Sequence, residues 1–175
     1  MKSFKQFFSE TFTPEEQKIA NRTSRARGAV GAKAITPRYV ESVAQPHHDI
    51  LDFGAGRDAA HTRNLREKGL QVTAHEFGSN VNPNLHDPEA LNRQYHLVYA
   101  SNVLNTQSSP EMMARTLEQI RGAVAPGGGF VGNYPQSPRK SALSPAQVET
   151  MLKGHFKTVK RVGGTRAAPL WHAHD

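Results

Sequence analysis

Apolar residues along this chain come in short blocks, and proline and glycine mark where each block begins and ends. Met113, Leu117, Ile120 and Val124 recur at helical spacing after Ser109-Pro110, and Pro126-Gly127-Gly128-Gly129 closes that run. Proline suits the first helical position because the N–H it lacks would be unpaired there anyway. The same device predicts helices at Thr13-Pro14, Thr36-Pro37, Asp87-Pro88 and Ser144-Pro145. Thr13 with Glu16, and Ser144 with Gln147, complete capping boxes in which the hydroxyl and the N3 side chain each satisfy a backbone N–H. The first helix is expected to reach about Arg22, and the second carries Val40 and Val43 and stops at Gln45-Pro46. A further helix is predicted from about Asp58 to Lys68, stopped by Gly69.

Extended segments fall between the helices: Ile50-Leu51-Asp52-Phe53, residues 71–77, residues 96–100, and Phe130-Val131 leading to Tyr134. Residues 156–162 and 168–173 predict a hairpin around Gly163-Gly164. Strands that alternate with helices specify an α/β fold, a doubly wound and mostly parallel sheet, and the terminal hairpin adds an antiparallel edge. At 175 residues the chain suits one compact domain. Residues 1–48 read as a helical N-terminal extension or lid, with a basic link at 21–33, and residues 49–175 as the main domain.

Composition narrows the chemistry. Lys and Arg number 22 against 15 Asp and Glu, a net charge of +7 that favours acidic partners. Cysteine is absent, which excludes a disulfide scaffold, a thiolate zinc site, a cysteine nucleophile and the thiol route to methylating pyrimidine C5. The N-terminus lacks the apolar core of a secretory signal, and no apolar run approaches the ~18 residues of a membrane span. The chain is therefore expected to be soluble and cytoplasmic, with no membrane partner. His47-His48 and His172-Ala173-His174 lack carboxylate-backed ligand spacing, so they are read as solvated and no metal is expected.

Gly54-Ala55-Gly56-Arg57-Asp58-Ala59 fits the relaxed dinucleotide fingerprint G-x-G-x-x-A between a strand and a helix. Asp52 stands two residues before the first glycine. A carboxylate there repels a pyrophosphate and attracts a cation, so a sulfonium or ammonium ligand is preferred over NAD. Glu76 lies 22 residues after Gly54, where a doubly wound fold places an acid on ribose hydroxyls. A nucleoside carrying positive charge meets both requirements, and S-adenosylmethionine is that ligand.

Taken in order, Ile50-Leu51-Asp52-Phe53-Gly54-Ala55-Gly56, Glu76, Val98-Tyr99-Ala100-Ser101-Asn102-Val103-Leu104-Asn105 and Ala125-Pro126-Gly127-Gly128-Gly129-Phe130 resemble the class I S-adenosylmethionine-dependent methyltransferases over about residues 49–175. Small proteins of this kind occur in bacteriophage genomes, and the resemblance extends to them. It implies a Rossmann-like, seven-stranded sheet with a reversed last strand. It also implies that Asp52, Gly54, Ala55 and Gly56 line the methionine half of the cofactor, that Glu76 holds the ribose with Phe77 beside it, and that Ser101 and Asn102 border the site. An acid near the adenine amine has one local candidate, Asp87, which is equally a natural cap before Pro88 and Glu89. Asp58 stands where many members have a third glycine, and the Asn-rich residues 80–85 make a poor third strand, so that edge is expected to be short.

For the substrate, Arg25 and Arg27 in the link and Arg139-Lys140 after the fifth family strand are the expected anion contacts, with Tyr134 at the rim to stack or hydrogen-bond. Lys153, Lys157, Lys160, Arg161 and Arg166 lie in an acid-free stretch. An anionic acceptor such as nucleic acid is favoured. The alternatives are a small metabolite under a helical lid, or an S-adenosylmethionine-binding protein that transfers no methyl group. No spacing identifies a general base. His75, Tyr134 and His155 are the available types, and Tyr134 is the candidate catalytic residue.

Overall fold

The computed structural model describes residues 13–24 and 34–175. Its elements are α1 (Pro14–Ser24), α2 (Ile35–Val43), β1 (Asp49–Phe53), α3 (Ala60–Glu67), β2 (Gln71–His75), β3 (Tyr95–Ala100), α4 (Pro110–Ala123), β4 (Val124–Asn133), α5 (Pro145–Lys153), β5 (Thr158–Gly164) and β6 (Pro169–His174). One six-stranded sheet runs β2-β1-β3-β4-β6-β5. Strands β1 to β4 are mutually parallel, β6 runs antiparallel to β4, and β5 pairs antiparallel with β6. The α/β, Rossmann-like class is as expected, and the number of strands is not.

The missing strand is the third family strand. Gly78–Asn80 is a single 3₁₀ turn, and Pro83 and the asparagines carry the chain on without a ladder. Asn82 accepts from the Asn84 N–H at 3.0 Å through its own side chain, a local bond that competes with strand pairing. Strand β2 is left as the sheet edge. Asp87-Pro88, expected to open a helix, leads only to a 3₁₀ turn at Ala90–Asn92.

Alternation along the strands divides the core between two faces. Ile50, Leu97, Tyr99, Val131 and Leu170 pack with Val40 of α2 and Leu65 of α3. Leu51, Phe53, Val98, Phe130 and Trp171 pack with Met113, Leu117 and Ile120 of α4 and Leu152 of α5. Both proline-started helices that close the second face carry the predicted caps: Ser109 accepts from the Met112 N–H, and Ser144 and Gln147 form a complete box. The Pro126-Gly127-Gly128-Gly129 segment both stops α4 and shifts the β3–β4 register between Tyr95 and Leu97. Gly128 is needed there, because a Cβ would lie 2.8 Å from the His96 carbonyl oxygen.

The carboxyl ends of β1 to β4 open at one end of the sheet, where ligands of doubly wound folds bind. Helix α1 reaches this end. Its capping box forms as predicted, with Glu16 accepting from the Thr13 N–H and Thr13 from the Glu16 N–H. Ala20 enters the core, Glu16 pairs with Arg115 at 3.5 Å, and the helix packs on Gly78–Asn80 and on the 3₁₀ turn Leu104–Thr106. Among the described residues, no helix is long and apolar enough to cross a membrane.

Candidate active site

The turn after β1 takes the form its glycines allow. Gly54 (φ 75°) and Gly56 (φ 80°) both occupy the left-handed region. A Cβ on Gly54 would come within 2.7 Å of a Val103 methyl, so the turn lies directly on the segment that follows β3. The N–H groups of Gly54 and Ala55 donate to the His75 carbonyl at 3.0 and 2.8 Å, which ties the turn to the end of β2. Three strand ends therefore meet here.

Glu76 is almost fully buried and completes the link. Its Oε2 accepts from the Gly56 N–H at 2.6 Å and its Oε1 from the Phe77 N–H at 2.9 Å. Burial nevertheless pushes its carboxyl up to about 7, with the Asp52 charge adding to the shift. Asp52 is 1% exposed, under the turn on the α3 face, where Thr62 donates to Oδ2 at 2.6 Å. Burial raises Asp52 to about 6, opposed by Thr62, Tyr99 and the more distant Arg66. In return, burial and Asp52 raise the Tyr99 phenol well above its ordinary value. Among the described residues neither carboxylate forms an ion pair. Two buried acids beneath the turn with no paired cation among the described residues favour a positively charged ligand.

Residues 8–161 match the methyltransferase-domain family. The chain belongs to this family. No protein of curated function matches the sequence. The methyltransferase shares its fold with solved structures at low identity. A TehB-like SAM-dependent methyltransferase from Corynebacterium glutamicum is 13% identical, with 92% of this chain and 98% of that one covered at a TM-score of 0.64. A SAM-dependent methyltransferase from Bacteroides fragilis, in complex with S-adenosyl-L-homocysteine, is 11% identical, covering 93% and 95% at 0.60. The 16S rRNA N2 G1207 methyltransferase of T. thermophilus, in complex with AdoMet and guanosine, is 14% identical, covering 86% of this chain and 45% of that one at 0.52.

The methyltransferase holds its remaining predicted cofactor residues as follows. Ser101 and Asn102 are half-buried at the end of β3. Asn102 has φ 58° and makes a reciprocal pair with Asn133, each of the two bonds 2.8 Å long. The sequence marks Asn133 only weakly. Its signal is an amide at the end of one parallel strand beside an asparagine following the next. Half-buried Asp87 closes a local turn, Oδ1 accepting from the Glu89 N–H at 2.8 Å, and does not cap the 3₁₀ turn Ala90–Asn92, whose N-cap is Glu89. Phe77 packs with Phe53 around His75, whose imidazole burial drives down to about 3. So low a value leaves His75 a poor base.

The expected substrate side differs more. Tyr134 is fully buried instead of presented at the rim. Its hydroxyl donates to the Leu143 carbonyl at 2.8 Å and its ring lies under the Arg139 guanidinium at 4.0 Å. Arg139 in turn donates to the carbonyls of Tyr134, Pro135 and Ala167. Both residues fasten the loop after β4 to the β5–β6 hairpin, Tyr134 fully buried and Arg139 half-buried. Lys140 is exposed, with its N–H on the Asn105 carbonyl. Arg25 and Arg27 lie outside the described residues. His155 precedes β5 at the far end of the sheet. Lys153 and Arg161 pair with Glu149, just before the acid-free stretch. Of the histidines read as solvated, His47 is exposed, whereas His48, His172 and His174 are half-buried, with His48 stacking on His96 at 5.2 Å, also at the far end.

The two raised carboxyls have a consequence for stability. In the unfolded chain they ionise near pH 4, in the folded ligand-free protein at about 6 and 7. The folded state thus holds the protons more tightly, and stability from these groups is lost as pH rises from about 4 to 7. Asp52→Asn, which cannot ionise, removes its share of that loss, on the order of 2–3 kcal/mol. Urea unfolding at pH 5 and pH 8 is expected to show the variant gaining on the wild type at the higher pH. A constant difference would show that Asp52 ionises normally.

Proposed function

We propose that the protein transfers a methyl group from S-adenosylmethionine to an anionic acceptor, nucleic acid being the favoured class. The observation that carries the cofactor assignment is the pair Asp52 and Glu76, buried beneath a glycine turn and in no ion pair among the described residues. S-adenosylmethionine supplies a sulfonium cation and an activated methyl group. The chain's residues fit the rest of it. Gly54 lets the turn lie on Val103, and Gly56, where an added Cβ would meet nothing within 4 Å, leaves the turn bare so that the methionine half can approach the backbone. Glu76 accepts from ribose hydroxyls, lending them lone pairs its two backbone donors leave free. Asp52 lies too deep to be a contact residue, and acts through its field. Asp87 takes the adenine amine on the oxygen that does not accept from the Glu89 N–H.

In-line methyl transfer needs nucleophile and methyl held in near-attack geometry. The Asn102–Asn133 pair locks the segment after β3 to the end of β4, and the Tyr134–Arg139 contacts lock the loop beyond. These fix one wall of the acceptor mouth. Exposed Lys140, on that loop, and Arg166, in the hairpin beside it, support an anionic acceptor, with Arg25 and Arg27 as further contacts. A small-molecule acceptor is the second reading, favoured by α1, which packs on both Gly78–Asn80 and Leu104–Thr106 and serves as a lid.

Two outcomes are expected. Glu76→Ala weakens S-adenosylhomocysteine binding, followed by calorimetry, at least tenfold more than Asp87→Ala; equal losses would make Asp87 as important a ligand. In a labelled-methyl assay over nucleic-acid, protein and metabolite pools, label enters nucleic acid. That incorporation falls steeply between about 50 and 200 mM salt, and falls further in Lys140→Glu. Label entering only metabolites, indifferent to salt, favours the second reading.

A further inference from the structure

The segment that lacks the third strand carries a buried side chain with no part in the account so far. His86 is 4% exposed, and its two ring nitrogens are both engaged. Nδ1 lies 2.8 Å from the Asn82 amide nitrogen, and a backbone N–H only donates, so Nδ1 is the acceptor. Nε2 therefore carries the proton, and it faces the Gly56 carbonyl oxygen at 2.8 Å. The same loop is closed by the His86 N–H on the Asn82 carbonyl at 2.9 Å, and Leu85 packs on Ala55, Ala59 and Ala74. The Asp87 N–H then joins the Ala74 carbonyl of β2 at 2.9 Å. Residues 82–86 thus form a closed turn whose histidine points at the glycine turn of the cofactor site.

Gly56 is consequently held from both sides. Its N–H donates to Glu76, and its carbonyl accepts from His86 and, at 3.2 Å, from Ala59 at the entry to α3. Glu76 is also the residue assigned to the ribose, so its bond to Gly56 weakens when ribose hydroxyls exchange onto the lone pairs left free on the same carboxylate. The His86 bond involves no ligand group and persists through that exchange. Burial and engagement of both nitrogens in one neutral tautomer make it a rigid strut.

We propose that His86 is a positioning residue for cofactor binding: through Nε2–H it holds the Gly56 carbonyl, and so keeps the glycine turn in its binding shape in place of the support that a third strand would give. The inference rests on the cofactor reading above. It concerns the donor on Nε2, not the volume of the ring.

Glutamine and methionine at this position separate those two properties, since they have similar length and only glutamine has a donor. His86→Gln is expected to bind S-adenosylhomocysteine within about threefold of wild type, and His86→Met at least tenfold more weakly, by calorimetry well below unfolding. Without any cofactor, exchange of the Gly56 amide proton followed by NMR is expected to be at least tenfold faster in His86→Met than in His86→Gln, with exchange in the sheet core unchanged. Wild-type affinity in His86→Met, equal weakening in both variants, or faster exchange spread over the whole core would overturn the proposal. A wild type that binds neither S-adenosylmethionine nor S-adenosylhomocysteine overturns the cofactor reading instead, while the Gly56 exchange still decides whether His86 holds the turn.

Discussion

Burying two neighbouring carboxylates that form no ion pair among the described residues is the constraint around which this structure is organised. A buried unpaired charge is costly, and proteins normally pair it, hydrogen-bond it or neutralise it. Here the response is partial. Thr62 from α3 and two backbone N–H groups bond the carboxylates, and the remaining cost appears as carboxyls that hold their protons to about pH 6 and 7. A cationic ligand removes that cost on binding, so a feature unfavourable to the free protein becomes a source of affinity. The sheet register serves this arrangement: Asp52 lies between Ala74 of β2 and Tyr99 of β3, and the glycine turn begins one residue beyond Phe53.

The chain carries few elements beyond those that this site needs. With β2 as the edge, the segment up to β3 has no ladder of its own and is ordered by local turns and by its contacts with the glycine turn. On the other side of the site, the buried Tyr134 and the committed Arg139 give the loop after β4 a fixed shape. Lys140 stays exposed on this frame, and α1 packs across the same end of the sheet.

Much of this frame was legible in the sequence because proline and glycine act locally. Ser109-Pro110 and Ser144-Pro145 start helices where they stand, and Gly54 and Gly56 form the expected turn. Features set by non-local geometry were not legible. Helix α3 starts at Ala60 and not near Asp58 because Ala59 adopts φ 46°, a conformation that alanine seldom announces. Tyr134 follows a strand end, but its position alone does not say that the ring turns under Arg139. The positive charge between residues 150 and 174 looked unopposed, yet Glu149 sits one residue outside that window and takes two of its cations. The Asn102–Asn133 pair spans 31 residues, and His86 reaches Gly56 across 30, distances at which no sequence period applies.

The central claim, that the pocket is built for a cation, is tested most directly by comparing two ligands that differ chiefly in the sulfonium charge. The measurement is the affinity ratio of S-adenosylmethionine to S-adenosylhomocysteine at pH 5.5 and at pH 8. Below about pH 6 the carboxyls at the site are largely protonated and give the sulfonium little advantage; above about 7 they are ionised and attract it. The account predicts a ratio that rises several-fold with pH. A ratio that stays constant or falls would contradict it.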